Sequence, residues 1–141
     1  MLRFATVVLF GLTAALAGGF WITSHSPNSP LGKETPEAAV LIEVGGCADP
    51  AKAALTGTAE GLIGSQRQSV PLTFTRTSKP GVFAVKKQWT GTGPWVLAIT
   101  GTYFGHPSSL LIEVGTKGEY RSKAVSAKEL NARVEAALKA T

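Results

Sequence analysis

The stretch that decides the fold runs from Trp95 to Tyr103 and reads WVLAITGTY. In an extended chain, successive side chains point to opposite faces. Four apolar or aromatic side chains of this stretch therefore share one face: Trp95, Leu97, Ile99 and Tyr103. β-Branched and aromatic residues in this alternation are typical of a strand that buries one face in a protein core, so the stretch predicts a half-buried β-strand.

Similar runs lie on both sides of this strand and are separated by segments that contain Gly and Pro. Turn residues fill 78–81, 90–94 and 115–118, and the last of these favours a hairpin. The other runs that read as strands are 39–44, 54–62, 69–76, 82–89, 110–114 and 119–125. About seven short strands with such turns predict a mainly β fold, an immunoglobulin-like β-sandwich.

The C-terminal segment has the period of a helix rather than that of a strand. Its apolar stripe consists of Ala127, Leu130, Val134, Ala137 and Leu138. Ser126, followed three residues later by Glu129, has the form of a capping box at a helix N-terminus. The segment predicts an α-helix that reaches about Ala140 and packs its stripe on the sheet or on a partner.

The N-terminal residues indicate export. Arg3 precedes a run without charge, residues 4–22, and the small residues Ala15 and Ala17 suit a signal peptidase. Cleavage after Ala17 is one interpretation. The alternative is an uncleaved membrane anchor, since residues 4–22 are numerous enough to span a bilayer as a helix.

These observations predict three parts of the chain. Residues 1–22 form a signal peptide or an anchor helix. Residues 23–38, with three prolines among Ser, Asn and Gly, form a linker. Residues 39–141 form the β-sandwich domain with its C-terminal helix. Both interpretations of the first part place the domain outside the cytoplasm, in the periplasm or as a secreted protein.

Length and charge exclude several classes of function. A chain of 141 residues has room for one domain. Lys and Arg number 14 against 9 Asp and Glu, which gives a formal net charge of +5. The basic residues are scattered, and only Lys86 and Lys87 are adjacent. Because nucleic-acid binding needs a concentrated basic surface, we do not expect a nucleic-acid partner.

Aromatic residues beside two turns are the candidates for ligand binding. Trp89 and Trp95 stand at the two ends of one turn and can form an aromatic platform for a sugar or a peptide. The alternative is that both tryptophans pack in the core. Phe104 and His106 belong to a second segment, 104–107, which we expect to be a loop at the end of the sheet, where binding loops often lie.

Cys47 is the single cysteine of the chain. One cysteine excludes a disulfide scaffold within the chain and a zinc site built on cysteines. Cys47 is therefore a possible free thiol or a partner for a cysteine of another chain. The alternative is a small, buried, apolar residue without a chemical role.

Metal binding has few candidate donors. A metal ion needs several ligands in a fixed geometry. His25 falls in the predicted linker and His106 in the predicted loop, and the only Met is Met1. We expect no metal site and no cofactor.

Catalysis is not expected either. His106 with Ser108, Ser109 or Asp49 would supply the residue types found in the catalytic group of a hydrolase. The sequence contains no nucleophile-elbow motif, however. Glu43 and Glu60 form an acid pair only if their strands are neighbours. The sequence therefore predicts a protein that is not an enzyme.

Two segments resemble a hairpin of the YtkA-like periplasmic β-sandwich domains. Residues 80–85 read PGVFAV and residues 93–99 read GPWVLAI. The family has a strand of the form PG-V-aromatic that leads into a strand of the form G-x-W-x-L. The resemblance implies an immunoglobulin-like sandwich near a membrane, and for some members a role in copper handling. This chain lacks the Met and His residues that such a role needs.

Taken together, the sequence predicts a non-catalytic, exported interaction or structural module of the cell envelope. Its expected partner is another envelope protein, and the membrane as well if residues 4–22 are retained. The alternative is a module that binds a carbohydrate or a peptide through the loop aromatics. A metal-handling periplasmic protein is the third possibility.

Overall fold

In the part of the chain that the structure describes, nine strands and a C-terminal helix form the fold. The computed structural model describes residues 19–91 and 94–140. The strands are β1 (Trp21–His25), β2 (Val40–Gly45), β3 (Ala54–Ile63), β4 (Gln66–Pro71), β5 (Phe74–Arg76), β6 (Val82–Val85), β7 (Trp95–Tyr103), β8 (His106–Val114) and β9 (Tyr120–Val125). They are followed by the helix α1 (Leu130–Lys139), and two short 3₁₀ helices lie at Pro30–Gly32 and Pro50–Lys52.

The strands form two antiparallel sheets. The first sheet has the order β1-β2-β6-β5, and the second has the order β4-β3-β7-β8-β9. Every neighbouring pair runs antiparallel. At one side of the molecule β1 approaches β9, where the hydroxyl groups of Ser24 and Ser122 form a hydrogen bond. The prediction of a mainly β sandwich with a C-terminal helix is confirmed.

The main core lies between the two sheets. It takes alternate residues from both, and its fully buried members include Ile42, Val85, Leu97, Ile99 and Ile112. Tyr103 packs partly buried against the same core. The predicted inward face of β7 is therefore confirmed, because strict alternation sends every second side chain to the apolar side of the sheet.

The predicted strand 69–76 is in fact two strands in different sheets. β4 ends at Pro71 and pairs with β3, whereas β5 begins at Phe74 and pairs with β6. Pro71 has no N–H to donate, which suits the last residue of an edge strand. Between the two strands the chain crosses the core, where Leu72 is buried. This crossing is one reason why the structure has more strands than the seven predicted from the sequence.

The predicted strand 82–89 is also shorter in the structure. β6 ends at Val85, which lies opposite Val40, the first residue of β2. Beyond that point β2 offers no partner, so the chain leaves the sheet. Lys87 is exposed there, and its Nζ donates to the carbonyl of Gly91 at 2.9 Å.

The prediction of a linker over residues 23–38 is wrong for its first three residues. Residues 23–25 belong to β1, which pairs with β2 along its whole length and buries Ile22 in the core. Further along, Leu31 packs over Leu41 and Ala84 on the outer face of the first sheet. Apolar contacts on both faces of the sheet thus order a segment whose composition is that of a linker. The β domain therefore includes residues well before residue 39.

The predicted signal or anchor segment lies mostly outside the described residues. This holds for residues 1–18 and so for the expected cleavage site after Ala17. Its last two residues, Trp21 and Ile22, are the first two of β1. Among the helices of residues 19–91 and 94–140, none is long and apolar enough to cross a membrane.

The C-terminal helix packs on the outer face of the second sheet. Val134 and Leu138 are buried there against Val96 and Leu111, as the apolar stripe predicts. The predicted capping box is wrong, because α1 begins only at Leu130 and has no side-chain cap. The backbone carbonyl of Ser126 instead accepts from the amide of Glu129 at 3.0 Å, in the turn that leads from β9 to the helix.

Candidate functional site

The two candidate tryptophans lie in the core. Trp89 and Trp95 are each only 4% exposed. The indole Nε1 of Trp95 donates to the carbonyl of Thr90 at 3.2 Å, which ties this ring to the preceding connection. The aromatic platform proposed from the sequence is therefore not present on the surface. The alternative, in which both rings pack inside, is confirmed, because burying two indoles removes a large apolar area from water.

Phe104 occupies a two-residue turn between β7 and β8. Tyr103 pairs with His106, so only Phe104 and Gly105 lie outside the ladder. Both have positive φ, 47° and 78°, as a type I′ turn requires. The predicted loop 104–107 is thus shorter than expected, since His106 and Pro107 are in β8. The tight turn suits the right-handed twist of the two strands that it joins.

The conformation of Phe104 is unfavourable for its residue type. A positive φ costs an L-residue about 1–2 kcal/mol, and Asn or Gly is the usual occupant. Phe104 is also 70% exposed, so the ring gains little from burial. The backbone conformation alone does not favour a phenylalanine at this position.

Three aromatic rings and one amino group meet at this turn. The ring of Phe20 stacks on Tyr103 at 5.8 Å between centroids, and Tyr103 meets Phe104 edge-on at 4.6 Å. The Nζ of Lys52 lies 5.8 Å from the centroid of Phe104, within reach of a cation–π interaction. We call Phe20, Lys52, Tyr103 and Phe104 the turn-end cluster. Only Phe104 of these four was a candidate from the sequence.

The β2–β3 connection holds the turn-end cluster in place. The amide of Asp49 donates to the hydroxyl of Tyr103 at 3.2 Å. This hydrogen bond joins residues 54 positions apart in the chain. Lys52 belongs to the same connection, in the 3₁₀ helix Pro50–Lys52, and this places its amino group beside Phe104.

Several chain segments converge at this end of the sandwich. A Cβ added at Gly81, in the β5–β6 turn, would lie 2.6 Å from the Cβ of Pro50, so that turn abuts the β2–β3 connection. The described chain begins here too, because the carbonyl of Gly19 packs against Gly46. Trp21 lies over Gly45 and remains 43% exposed. Two exposed aromatic side chains, Trp21 and Phe104, therefore stand near the point where the N-terminal segment joins the domain.

Cys47 lies in the same β2–β3 connection. It is a free cysteine, partly buried, and it packs against the main core. Burial raises the pKa of the Cys47 thiol, and the negative charge of Asp49 raises this pKa further. Both effects disfavour the thiolate, which is the reactive form of cysteine.

His25 lies in a strand rather than in the linker predicted for it. His25 is the last residue of β1. Its Nε2 is 3.5 Å from Oε2 of Glu43, so that protonated His25 can form an ion pair with this carboxylate. A cavity of about 380 Å³ borders His25 and Tyr120. Burial raises the pKa of Tyr120. This cavity adjoins the β8–β9 turn, at the end of the sandwich opposite the turn-end cluster.

The structure separates the acidic pair suggested by the sequence. Glu43 is in β2 of the first sheet, and Glu60 is in β3 of the second. Glu60 is held by Arg67, whose Nε lies 3.4 Å from its Oε2, and Arg67 also pairs with Glu135 of α1. Glu60 thus belongs to a network of charges that ties the helix to the β3–β4 hairpin. The two strands are not neighbours, so the condition for an acid pair of Glu43 and Glu60 is not met.

Among the remaining polar candidates, the structure separates His106 from Ser109. His106 and Ser109 project from opposite faces of β8, since they are three residues apart. Ser109 is buried, and its Oγ is hydrogen-bonded to Oγ1 of Thr100 at 2.9 Å. Within residues 19–91 and 94–140, no three His, Cys, Asp or Glu side chains are close enough together to hold a metal ion.

Comparison of the chain with models of protein families, with curated proteins and with solved structures gave no match. The geometry of the described residues is therefore the observation that bears on function. Of the four candidate ligand-binding residues, the structure leaves Phe104 and His106 exposed, at one turn. It adds Tyr103, which precedes Phe104 in the chain, and Phe20 and Lys52, which approach this turn only in the folded chain.

Proposed function

We propose that this protein is an exported, non-catalytic interaction module of the cell envelope, built on an immunoglobulin-like sandwich. The observation that carries the proposal is the exposed ring of Phe104, held at positive φ in the tight β7–β8 turn. A residue that costs folding energy and buries little area is explained when it contacts a partner. The expected partner is another component of the envelope, a protein in the first instance.

The strand order supports the immunoglobulin-like part of the proposal. In immunoglobulin domains one sheet has the order ABED, and the other contains C, F and G, with C′ beside C in variable-type domains. Here β1-β2-β6-β5 corresponds to ABED, and β4-β3-β7-β8 corresponds to C′CFG. β9 is an additional strand beyond G. On this reading the turn-end cluster lies at the end that carries the B–C and F–G connections, where variable domains place their binding loops.

If the chain is exported, the position of β1 supports a boundary before Trp21. Cleavage after Ala17 leaves all of β1 in the mature chain. An anchor that included Trp21 and Ile22 would instead remove Ile22 from the core, where it is 4% exposed. We therefore propose that any membrane-spanning helix ends before β1. The intact mass of the protein from envelope fractions distinguishes a chain that begins near Gly18 from one that retains Met1.

A ligand-binding module is the second candidate. Phe104, with Tyr103 behind it, offers an aromatic face beside the ion pair of Lys52 and Asp49, whose Nζ and Oδ2 are 3.9 Å apart. Such a surface is smaller than the platform expected from the two tryptophans. The two candidates differ in their partner, which is a macromolecule in the first and a small sugar or peptide in the second.

Site-specific photo-crosslinking in intact cells tests the proposal. A photoreactive amino acid replaces Phe104 in one variant and Ser65, in the β3–β4 turn at the opposite end, in the matched control. We expect the chain in the envelope fraction, with high-mass adducts from position 104 and none from position 65. A chain found in the cytoplasm, or equal adducts from both positions, would contradict the proposal.

A further inference from the structure

The strand β9 forms an edge of the second sheet. Among the described strands, it pairs with β8 alone. The amide of Gly115 donates to the carbonyl of Glu119 at 2.8 Å, and this closing pair fixes the alternation of hydrogen bonds along the β8–β9 ladder. Every second residue of β9 therefore points its backbone N–H and C=O groups away from β8. These residues are Tyr120, Ser122 and Ala124.

These outward backbone groups are open to a further strand. Ser122 and Ala124 are exposed. Strand β1 of the first sheet approaches this edge, but the contact there is the hydrogen bond between the hydroxyl groups of Ser24 and Ser122. The opposite edge of the second sheet, β4, ends at Pro71, which has no N–H to donate. β9 contains no proline and so keeps its full row of outward donors.

The outer face of the β9 edge is positively charged. Arg121 and Lys123 project from the same face as Val125, which packs beside α1, because alternate residues of a strand share a face. Arg121 is 78% exposed and pairs with Glu113 at 3.6 Å. Lys123 is exposed and has no ion pair within residues 19–91 and 94–140. Carboxylates of an added strand would be stabilised beside these two cations, since opposite charges on neighbouring strands attract.

A second copy of this chain is a poor occupant of the β9 edge. If two copies paired antiparallel about Ser122, Arg121 of one copy would lie opposite Lys123 of the other. Like charges that lie directly opposite each other destabilise a pair of strands, and charged side chains on an edge oppose pairing between copies. The charge of the edge therefore favours an acidic strand of a different protein.

A cavity lies on the inner side of the same edge. It has a volume of about 380 Å³ and borders Tyr120 of β9, Ser24 of β1 and Val40 of β2. A strand added to β9 would direct every second side chain to this inner side. Val40 and the ring of Tyr120 suit an apolar side chain there. In strand addition, main-chain hydrogen bonds give affinity and pockets for alternate side chains give specificity, and this edge offers both.

We propose that the β9 edge binds an extended, acidic segment of another protein as an additional strand. The main chain of that segment bonds to the outward groups of β9, and alternate carboxylates lie beside Arg121 and Lys123. An apolar side chain between two carboxylates enters the cavity beside Tyr120. The inference goes beyond the proposed function, because it does not depend on a contact at Phe104.

Fluorescence polarisation of labelled peptides with the purified full chain tests the proposal. The probe is a peptide of six residues, the length of β9, in which glutamate and valine alternate. One comparison peptide carries lysine in place of glutamate. Another carries a methyl group on every amide nitrogen and so cannot donate to β9. We expect the probe to bind, and both comparison peptides to bind at least roughly tenfold more weakly.

Two matched pairs of substitutions locate the site. Lys123→Glu should weaken binding of the probe by roughly tenfold. Lys128→Glu makes the same change of charge beyond the end of β9 and should have little effect. Ala124→Pro removes an outward N–H and should weaken binding, whereas Ala124→Thr keeps that N–H and should not. If Ala124→Pro does not fold, the methylated peptide tests the same hydrogen bonds.

Amide hydrogen exchange shows where the peptide lies. The amides of Ser122 and Ala124 should exchange more slowly when the probe is bound. Those of Arg121 and Lys123, which already bond to β8, should not change. Slower exchange elsewhere without this alternation would overturn the proposal.

Three other results would also overturn it. They are the absence of probe binding, equal affinity for either comparison peptide, and equal losses in Lys123→Glu and Lys128→Glu. A dimer of the chain whose formation slows exchange at Ser122 and Ala124 would make the second copy the occupant instead. Crosslinking from position 104 bears on the proposed function alone, so the two proposals can fail independently.

Discussion

Gly61 of β3 and Trp95 of β7 lie directly opposite each other in the second sheet, and the indole ring occupies the space that a side chain at Gly61 would need. A Cβ added at Gly61 would lie 2.7 Å from the ring of Trp95. The glycine that weakens β3 in the sequence is therefore what allows Trp95 to lie flat in the core. This contact explains why the ring is unavailable for binding a ligand at the surface.

Gly61→Ala should destabilise the protein by about 1–3 kcal/mol, the usual cost of forcing extra volume into a packed core. In a strand without such a neighbour, alanine would instead be the more favourable residue. Chemical denaturation of the single and double variants provides the test. The loss of stability caused by Gly61→Ala should be smaller in a Trp95→Leu background, where the ring is absent. If the effects of the two substitutions simply add, the steric explanation is contradicted.

Phe104→Asn should leave the free energy of unfolding unchanged or raise it by up to about 1 kcal/mol, because asparagine tolerates a positive φ that phenylalanine does not. The substitution also loses the edge contact with Tyr103 and the cation–π contact with Lys52, which limits the gain. Thermal denaturation of Phe104→Asn beside Ile63→Asn gives the comparison. A large loss of stability would show that Phe104 serves folding rather than a partner.

Cys47 should react slowly with an alkylating reagent in the native protein and rapidly in urea, because burial raises the pKa of its thiol. The same shift predicts a pH dependence. The folded chain keeps the thiol proton at pH values where the unfolded chain has lost it, so stability should fall as the pH rises above about 8.5. In Cys47→Ser, the part of this loss of stability with rising pH that comes from the thiol should be absent. Rapid labelling of the native protein, or a disulfide-linked dimer, would contradict the assignment of a partly buried thiol.

Leu138→Ala should cost about 2–4 kcal/mol, since it removes a buried side chain between α1 and the second sheet. Lys139→Ala, one residue further along, should change stability by less than about 0.5 kcal/mol, because that side chain is exposed. Urea denaturation followed by circular dichroism separates the two. Equal effects would mean that the helix does not depend on this contact.

His106→Ala should fold normally, because His106 is exposed and its backbone alone pairs with Tyr103. The purified protein should bind neither copper nor zinc stoichiometrically. Titration calorimetry with each metal on both proteins tests this. Binding of one ion per chain that is lost in His106→Ala would revive the metal-handling alternative.

Much of the local structure could be predicted from the sequence. The alternation from Trp95 to Tyr103 predicts both β7 and the residues that it buries, and the turn at 115–118 predicts the β8–β9 hairpin. The four-residue period of Leu130, Val134 and Leu138 predicts the face of α1 that packs on the sheet. These features are local, since the direction of a side chain depends only on the backbone conformation of a few residues around it.

Tertiary structure decided where the strands pair and which side chains meet. The composition of the segment from Thr23 to Ala38 predicts a linker. In the structure, however, β1 pairs with the edge of β2, and Ile22 packs in the core. Phe20, Lys52 and Phe104 come together only because the N-terminus, the β2–β3 connection and the β7–β8 turn share one end of the sandwich. Such contacts join residues that are far apart in the chain. The periodicity of the sequence does not predict them, because they depend on the free energy of packing the two sheets together.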